Sequence, residues 1–224
     1  MRQRRSRSRS ETLPQDYRAS DDLPADMDAF IEEAARLICE EGYADYRAAK
    51  QRAAEDLRLT LSPNAVDSRK IELRVLQRQE LFGGQEYRQT LLDMRKAGLS
   101  LMSLLRDFDP RLAGSCVSGA IGLGHNVQIH VIAEPAESVD IHLINRNIAF
   151  EQDERRYRMA DGREYLIPLL HLASGDIPAD VAVFAEDSRR NPPLSRIDGR
   201  PAKRLDLGQL KALLSQADAT PIER

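Results

Sequence analysis

The sequence predicts an α+β protein, with a helical N-terminal region followed by a mixed β-sheet domain carrying flanking helices. Three observations predict it. Between residues 23 and 108 apolar side chains recur at helical spacing. After Pro110 the period changes to alternation. A last amphipathic stretch, "DLGQLKALLSQ", begins at the capping residue Asp206 and closes the chain. The resulting division is an arm over 1–22, a helical domain over 23–109, a sheet domain over 110–205, and a C-terminal helix and tail over 206–224. At 224 residues the chain is long enough for one substantial core or two small domains.

The helices are taken in order. "DMDAFIEEAARLICEEG" puts Phe30, Ile31, Ala34, Leu37 and Ile38 on one face, and Gly42 stops it. "ADYRAAKQRAAEDL" continues with a narrow stripe of Tyr46, Ala49, Ala53 and Leu57 that allows close helix packing. Pro63 and Asn64 open a third, highly charged helix that runs to about Leu81, where Gly83 and Gly84 break it. The fourth, from about 87 to 106, carries the strongest stripe: Tyr87, Leu91, Met94, Leu101 and Leu105. "Phe108-Asp109-Pro110" ends it, because a residue before proline is pushed out of the helical region.

The sheet region follows. "RLAGSCV" is a short strand candidate. "NVQIHVIAE" alternates, with Val127, Ile129 and Val131 on one side and Gln128 and His130 on the other, as a half-buried strand does. "PAESVDIHLINRN" alternates too, yet its leading Pro135 and acidic first turn favour a helix. "ERRYRM" and "REYLIPLLHLA" flank the turn "ADG" as a hairpin. "ADVAVFAED" gives the last strand, over 179–185.

Composition narrows the partners. A hydrophobic content of 42% with 31% charged residues reads as globular, and a net charge of -3 gives no global pull toward nucleic acid or anionic membrane. No apolar run approaches the roughly 20 residues that span a bilayer, and the N-terminus has no apolar signal core. Cys39 and Cys116 are isolated thiols without zinc or disulfide spacing, so a reducing cytoplasm is the expected location. The opening "MRQRRSRSRS" cannot bury anything. It reads as a solvated tail or as an arm in which Arg2, Arg4, Arg5, Arg7 and Arg9 lie along a nucleic-acid backbone.

Two resemblances follow from these residues. "EEAARLICEEGYADYRAAKQRAAEDL" resembles the opening of a TetR-type regulator, which implies a DNA-binding regulator acting through the N-terminal helices. The "RLTLSPNAVDSRK" that follows departs from the tight turn such a motif uses. The second resemblance is broader. Residues 112–187 resemble the nucleotidyltransferase fold of the polymerase-beta-like superfamily, and residues 30–214 resemble bacterial proteins that join a helical region to such a domain. That likeness implies that Gly114 and Ser115 bind nucleotide phosphates. It also implies that "Asn126-Val127-Gln128" stands where the family carries Asp-x-Asp, and that Asp180 is the third acidic position.

The departure bears directly on chemistry. Nucleotidyl transfer uses two divalent metals to stabilise attacking and leaving oxygens, and Mg²⁺ favours charged oxygen ligands. An amide carbonyl donates an oxygen but no charge. The first expectation is therefore a nucleotidyltransferase-like protein with a degraded metal site at Asn126, Gln128 and Asp180, binding a nucleotide or partner with little or no catalysis. An active, atypical transferase that uses Mg²⁺ on a small molecule, RNA or protein is the alternative, and the DNA-binding regulator is the second. No cofactor is certain.

Smaller features remain. His125 and His130 flank the motif, and a hydrogen-bonded strand histidine is the simplest identity for His130. Gly119, Gly122 and Gly124 either let the chain approach a ligand or make a flexible turn. Cys116 reads as a buried strand-end cysteine. The loop "EDSRRNPPLSRIDGRPAKR" either wraps over the sheet and offers cations or runs through solvent. P-loop, G-x-S-x-G and H-E-x-x-H signatures are all missing.

Overall fold

A computed structural model describes residues 25–59 and 66–218. The basic arm, Pro63 and Asn64, and the tail over 219–224 lie outside the described residues. The architecture is α+β, a helical N-terminal region joined to a five-stranded mixed sheet.

Three helices open the chain: α1 (Ala25–Glu40), α2 (Tyr46–Asp56) and α3 (Ser68–Phe82). Gly42 ends α1 with a left-handed φ of 79°, a conformation that glycine adopts without a Cβ clash. Asp45 caps α2 by accepting from the Arg47 and Ala48 amides at 2.7 and 3.2 Å, and Asp67 caps α3 through the Arg69 amide at 2.9 Å. The three helices bury Phe30, Ile31, Leu37, Ile38, Ala49, Ala53, Ile71 and Val75 together, with Ala120 from the sheet region completing the cluster. The alanines of α2 keep the helices close, as their stripe predicts.

The fourth helix, α4 (Gly84–Leu104), starts one residue after α3 ends, so Gly83 alone separates them. A 3-10 turn over Arg106–Phe108 follows, and Asp109 adopts a left-handed φ of 46° before Pro110. The buried face of α4 (Met94, Ala97, Leu101 and Met102) packs on the sheet, not on α1 to α3.

The remaining elements are β1 (Arg111–Ala113), α5 (Ser115–Ser118), β2 (Val127–Ile132), α6 (Glu137–Ile144), β3 (Glu151–Arg158), β4 (Glu164–Ser174), β5 (Ile177–Phe184) and α7 (Leu207–Asp218). The strand order is β1-β2-β5-β4-β3; β2 and β5 run parallel and the other neighbours are antiparallel. Val127, Ile129, Val131, Val181 and Val183 face α4, α6 and α7 in the larger core. The alternate residues face the other side, where a small cluster of Met159, Ile167, Leu169, Ala182 and Phe184 is buried.

Two local expectations are corrected. "RLAGSCV" is not one strand: β1 stops at Ala113, and Cys116 sits buried inside the helical turn α5. The reason is Gly114, whose φ of 70° and ψ of -152° lie outside strand geometry. The last strand begins earlier than its alternation suggests, at Ile177, because its first residues pair with Ala173 and Ser174 of β4.

Candidate functional site

One row crosses the sheet at the predicted motif. Ala113 pairs with Gln128, Gln128 with Asp180, Asp180 with His171, and His171 with Glu151. Strand periodicity then places Gln128, Asp180 and His171 side by side on the face away from the helices. Asn126, one residue before β2, reaches the same place: its Nδ2 donates to Asp180 Oδ1 at 3.0 Å. On the other flank Gly114 lies against the same side chain: a Cβ there would stand 2.6 Å from Gln128 Oε1, so that amide would have to swing away, and the φ of +70° favours glycine in its own right. The structure thus brings Gly114, Ser115, Asn126, Gln128 and Asp180 together.

Asp180 is the centre of the site. Its side chain is 6% exposed, and both of its oxygens are engaged. Oδ1 accepts from Asn126 and from His171 Nδ1 at 2.9 Å, and Oδ2 accepts from Arg155 Nη2 at 2.9 Å. The assignment of the Asn126 amide follows from chemistry, since an ionised carboxylate only accepts. Burial alone raises the Asp180 carboxyl, but the hydrogen bonds from Asn126 and His171 and the Arg155 charge outweigh it and hold it below the usual range. His171 moves the opposite way. Its bond to Asp180, and a second at 3.3 Å from Nε2 to the exposed Asp153, raise it above an ordinary histidine.

These contacts leave the row poorly suited to a dication. Asp180 is already matched by a guanidinium and two further donors, Asn126 turns its nitrogen inward, and Gln128 brings no charge. Among the described residues no group of three or more His, Cys, Asp or Glu side chains is placed to hold a metal ion. The residues do not fit Mg²⁺.

Ser115 behaves differently. Its Oγ is buried and has no hydrogen-bond partner among the described residues, which for a hydroxyl is a cost that a bound acceptor would remove.

Two of the glycines after it, Gly122 and Gly124, lie close against the protein's own backbone. A Cβ on Gly122 would lie 2.0 Å from the Ile38 carbonyl oxygen, and one on Gly124 would lie 1.9 Å from that of Gly42. Their closeness to the end of α1 and to the turn after it seats the 122–124 segment on the helical region. Tyr87 Oη and the Gln79 side chain fasten the residues just before it through the carbonyls of Gly119 and Ile121.

The histidines separate. His125 is a turn residue whose Nδ1 accepts from the Gly122 amide at 2.9 Å. His130 is buried and its Nδ1 has no partner, which corrects the expectation of a hydrogen-bonded strand histidine. It packs instead against the rings of Phe184 and Tyr157, with centroids 4.8 and 5.6 Å away. The Arg-rich loop does wrap the sheet. Pro193 bridges Met159 at the β3 edge, and Leu205 bridges Leu112 at the β1 edge.

In the helical region, Arg74 of α3 pairs with Asp28 and Glu32, and Arg78 pairs with Glu32 and Glu40. Both arginines serve the α1–α3 contact.

No family model, curated protein or solved structure matches the chain. The site's chemistry therefore rests on its own geometry.

The sequence alone gives no sign that Arg155, His171 and Asp153 belong to the site. "ERRYRM" and "LLHLA" are ordinary strand segments, and only the β3-β4-β5 register brings Arg155 and His171 to Asp180.

Proposed function

We propose that this chain is a nucleotidyltransferase-like protein with a degraded metal site, which binds a nucleotide or a partner without transferring a nucleotidyl group. The observation that carries this reading is the internal neutralisation of Asp180 by Asn126, His171 and Arg155. Two-metal transfer needs several carboxylates free to face two dications, and one carboxylate already matched by a guanidinium is a poor start. The binding half of the reading is supported by Ser115, whose buried hydroxyl lacks a partner beside the glycine-only turn at Gly114. A phosphate oxygen is an acceptor of the kind that hydroxyl needs.

Calorimetric titration of ATP with and without Mg²⁺ tests the reading. Equal affinity in both titrations and no AMP transfer are expected. Binding that depends strongly on Mg²⁺, or transfer of AMP, contradicts the reading and puts an active, atypical transferase in its place.

A further inference from the structure

Two residues along the strands from the Asp180 row, a pocket of about 360 Å³ opens between β1, β2 and the wrapping loop, lined by Asp109, Arg111, His130, Ile132, Arg189, Ala202 and Arg204. Three arginines converge here, but they are not equivalent. Arg111 is balanced by Asp109 at 2.8 Å and Asp206 at 3.5 Å, and Arg189 by Asp109 and Glu186. Arg204 has no hydrogen bond or ion pair among the described residues, although it is half-buried. Burial first, and the neighbouring Arg111 charge second, disfavour its charged form and outweigh the attraction of Asp109. His130 adds a second incomplete group, because it is 5% exposed and its Nδ1 lacks a partner.

A half-buried guanidinium with no ion pair of its own, attracted only by an Asp109 carboxylate that already pairs with Arg111 and Arg189, next to a buried imidazole nitrogen without a partner, is costly for the protein alone. Both costs fall when an anion with several acceptor oxygens enters. Arg204 can then donate two parallel hydrogen bonds, and neutral His130 can donate from the tautomer that carries its proton on Nδ1. Asp109 limits the net charge, so the site suits one small oxyanion and not a polyanionic backbone.

We propose that this pocket is a binding site for a phosphate group, with Arg204 as its principal cation, Arg111 and Arg189 as its rim and His130 at its floor. The proposal goes beyond the function proposed above and stands apart from it. Asn126→Asp with Gln128→Asp alters the Asp180 row and leaves Arg204 in place, so the two readings fail separately.

The test is a nuclear magnetic resonance titration of the whole chain with inorganic phosphate, and in a parallel arm with AMP, following the amides of Arg111, His130 and Arg204. Saturable shifts at these amides are expected. Arg204→Gln should weaken binding about tenfold or more, and Arg204→Lys, which keeps the charge but loses the two parallel bonds, should weaken it less than Arg204→Gln does. A second readout is thermal. Phosphate should raise the Tm of the unaltered chain and leave that of Arg204→Gln unmoved, while Arg204→Gln without phosphate should be at least as stable as the unaltered chain. Tighter binding of AMP than of phosphate assigns the group to a nucleotide, and equal binding assigns it to phosphate alone; both support the site. Shifts that do not saturate, or an affinity unchanged in Arg204→Gln, overturn it.

Discussion

Asn126 donates its side-chain amide to Asp180 Oδ1 at 3.0 Å, joining the residue before β2 to β5 across 54 positions of sequence. With His171 also on Oδ1 and Arg155 on Oδ2, this bond makes Asp180 the keystone of a polar network closed at both oxygens. A closed network is stable while complete and costly when one member goes.

Replacing the carboxylate should therefore be expensive. Asp180→Asn leaves the Arg155 guanidinium facing a neutral amide, and an expected loss of about 2–4 kcal/mol follows from breaking a largely buried pair on one side. Urea denaturation checks it, as a lowered midpoint with an unchanged slope. Asn126→Ala removes one bond to the same carboxylate and should cost less, about 1.5 kcal/mol.

Two histidines should bend the pH profile in opposite directions. His171 is raised in the folded state, so its contribution is complete below an unfolded value of about 6.5 and is lost as pH climbs through the folded value. Buried His130 is lowered to about 3, chiefly by desolvation and then by Arg204 and Arg155. Its unfolded form binds the extra proton between those values, so stability falls with acid below about pH 6.5, by up to about 1.4 kcal/mol per unit. Asp180, depressed when folded, adds an acid loss that starts below about pH 3.9. His171→Gln should flatten the alkaline side of a stability-versus-pH curve, and His130→Phe the side below 6.5. A curve that keeps its shape in both variants contradicts these assignments.

Glycine substitutions separate steric contact from backbone strain. Gly122→Ala or Gly124→Ala would drive a methyl into the Ile38 or Gly42 carbonyl at about half a normal contact distance. A loss above about 3 kcal/mol is expected, with faster amide exchange in α1, since backbone must move. Gly162→Ala meets nothing within 4 Å but sits at φ +83°, so it should cost only about 1–2 kcal/mol.

Much of this architecture is visible in the sequence, because it is local. Helical spacing in α1, α2 and α4, the alternation of β2, the turn at Gly162 and the Asp206 cap, which accepts from the Gln209 amide at 2.8 Å, are all short-range signals. The convergence of Asn126, Gln128 and Asp180 is expected from the family resemblance and not from periodicity, since alternation gives the face of Gln128 and Asp180 but not the pairing of β2 with β5 that makes them neighbours. What closes around Asp180 is not legible. Arg155 and His171 come from a hairpin whose strand order, β5-β4-β3, reverses its position in the chain. Nothing in "ERRYRM" states that its first arginine crosses β4 to reach β5. Gly122 and Gly124 mislead for a related reason, because their close neighbours are the protein's own backbone at Ile38 and Gly42.

The central claim is that Asp180's charge is already matched inside the fold, so the row of Asn126, Gln128 and Asp180 does not hold a dication. Paramagnetic broadening by Mn²⁺ measures this at the site itself. In the unaltered chain, the amides of 126–128 and 180 should broaden no more than those of exposed carboxylate-rich surfaces such as 151–154. In the Asn126→Asp, Gln128→Asp double variant, which restores two charges, broadening should concentrate at those positions. Selective broadening at Gln128 and Asp180 in the unaltered chain, at sub-stoichiometric Mn²⁺, would contradict the account.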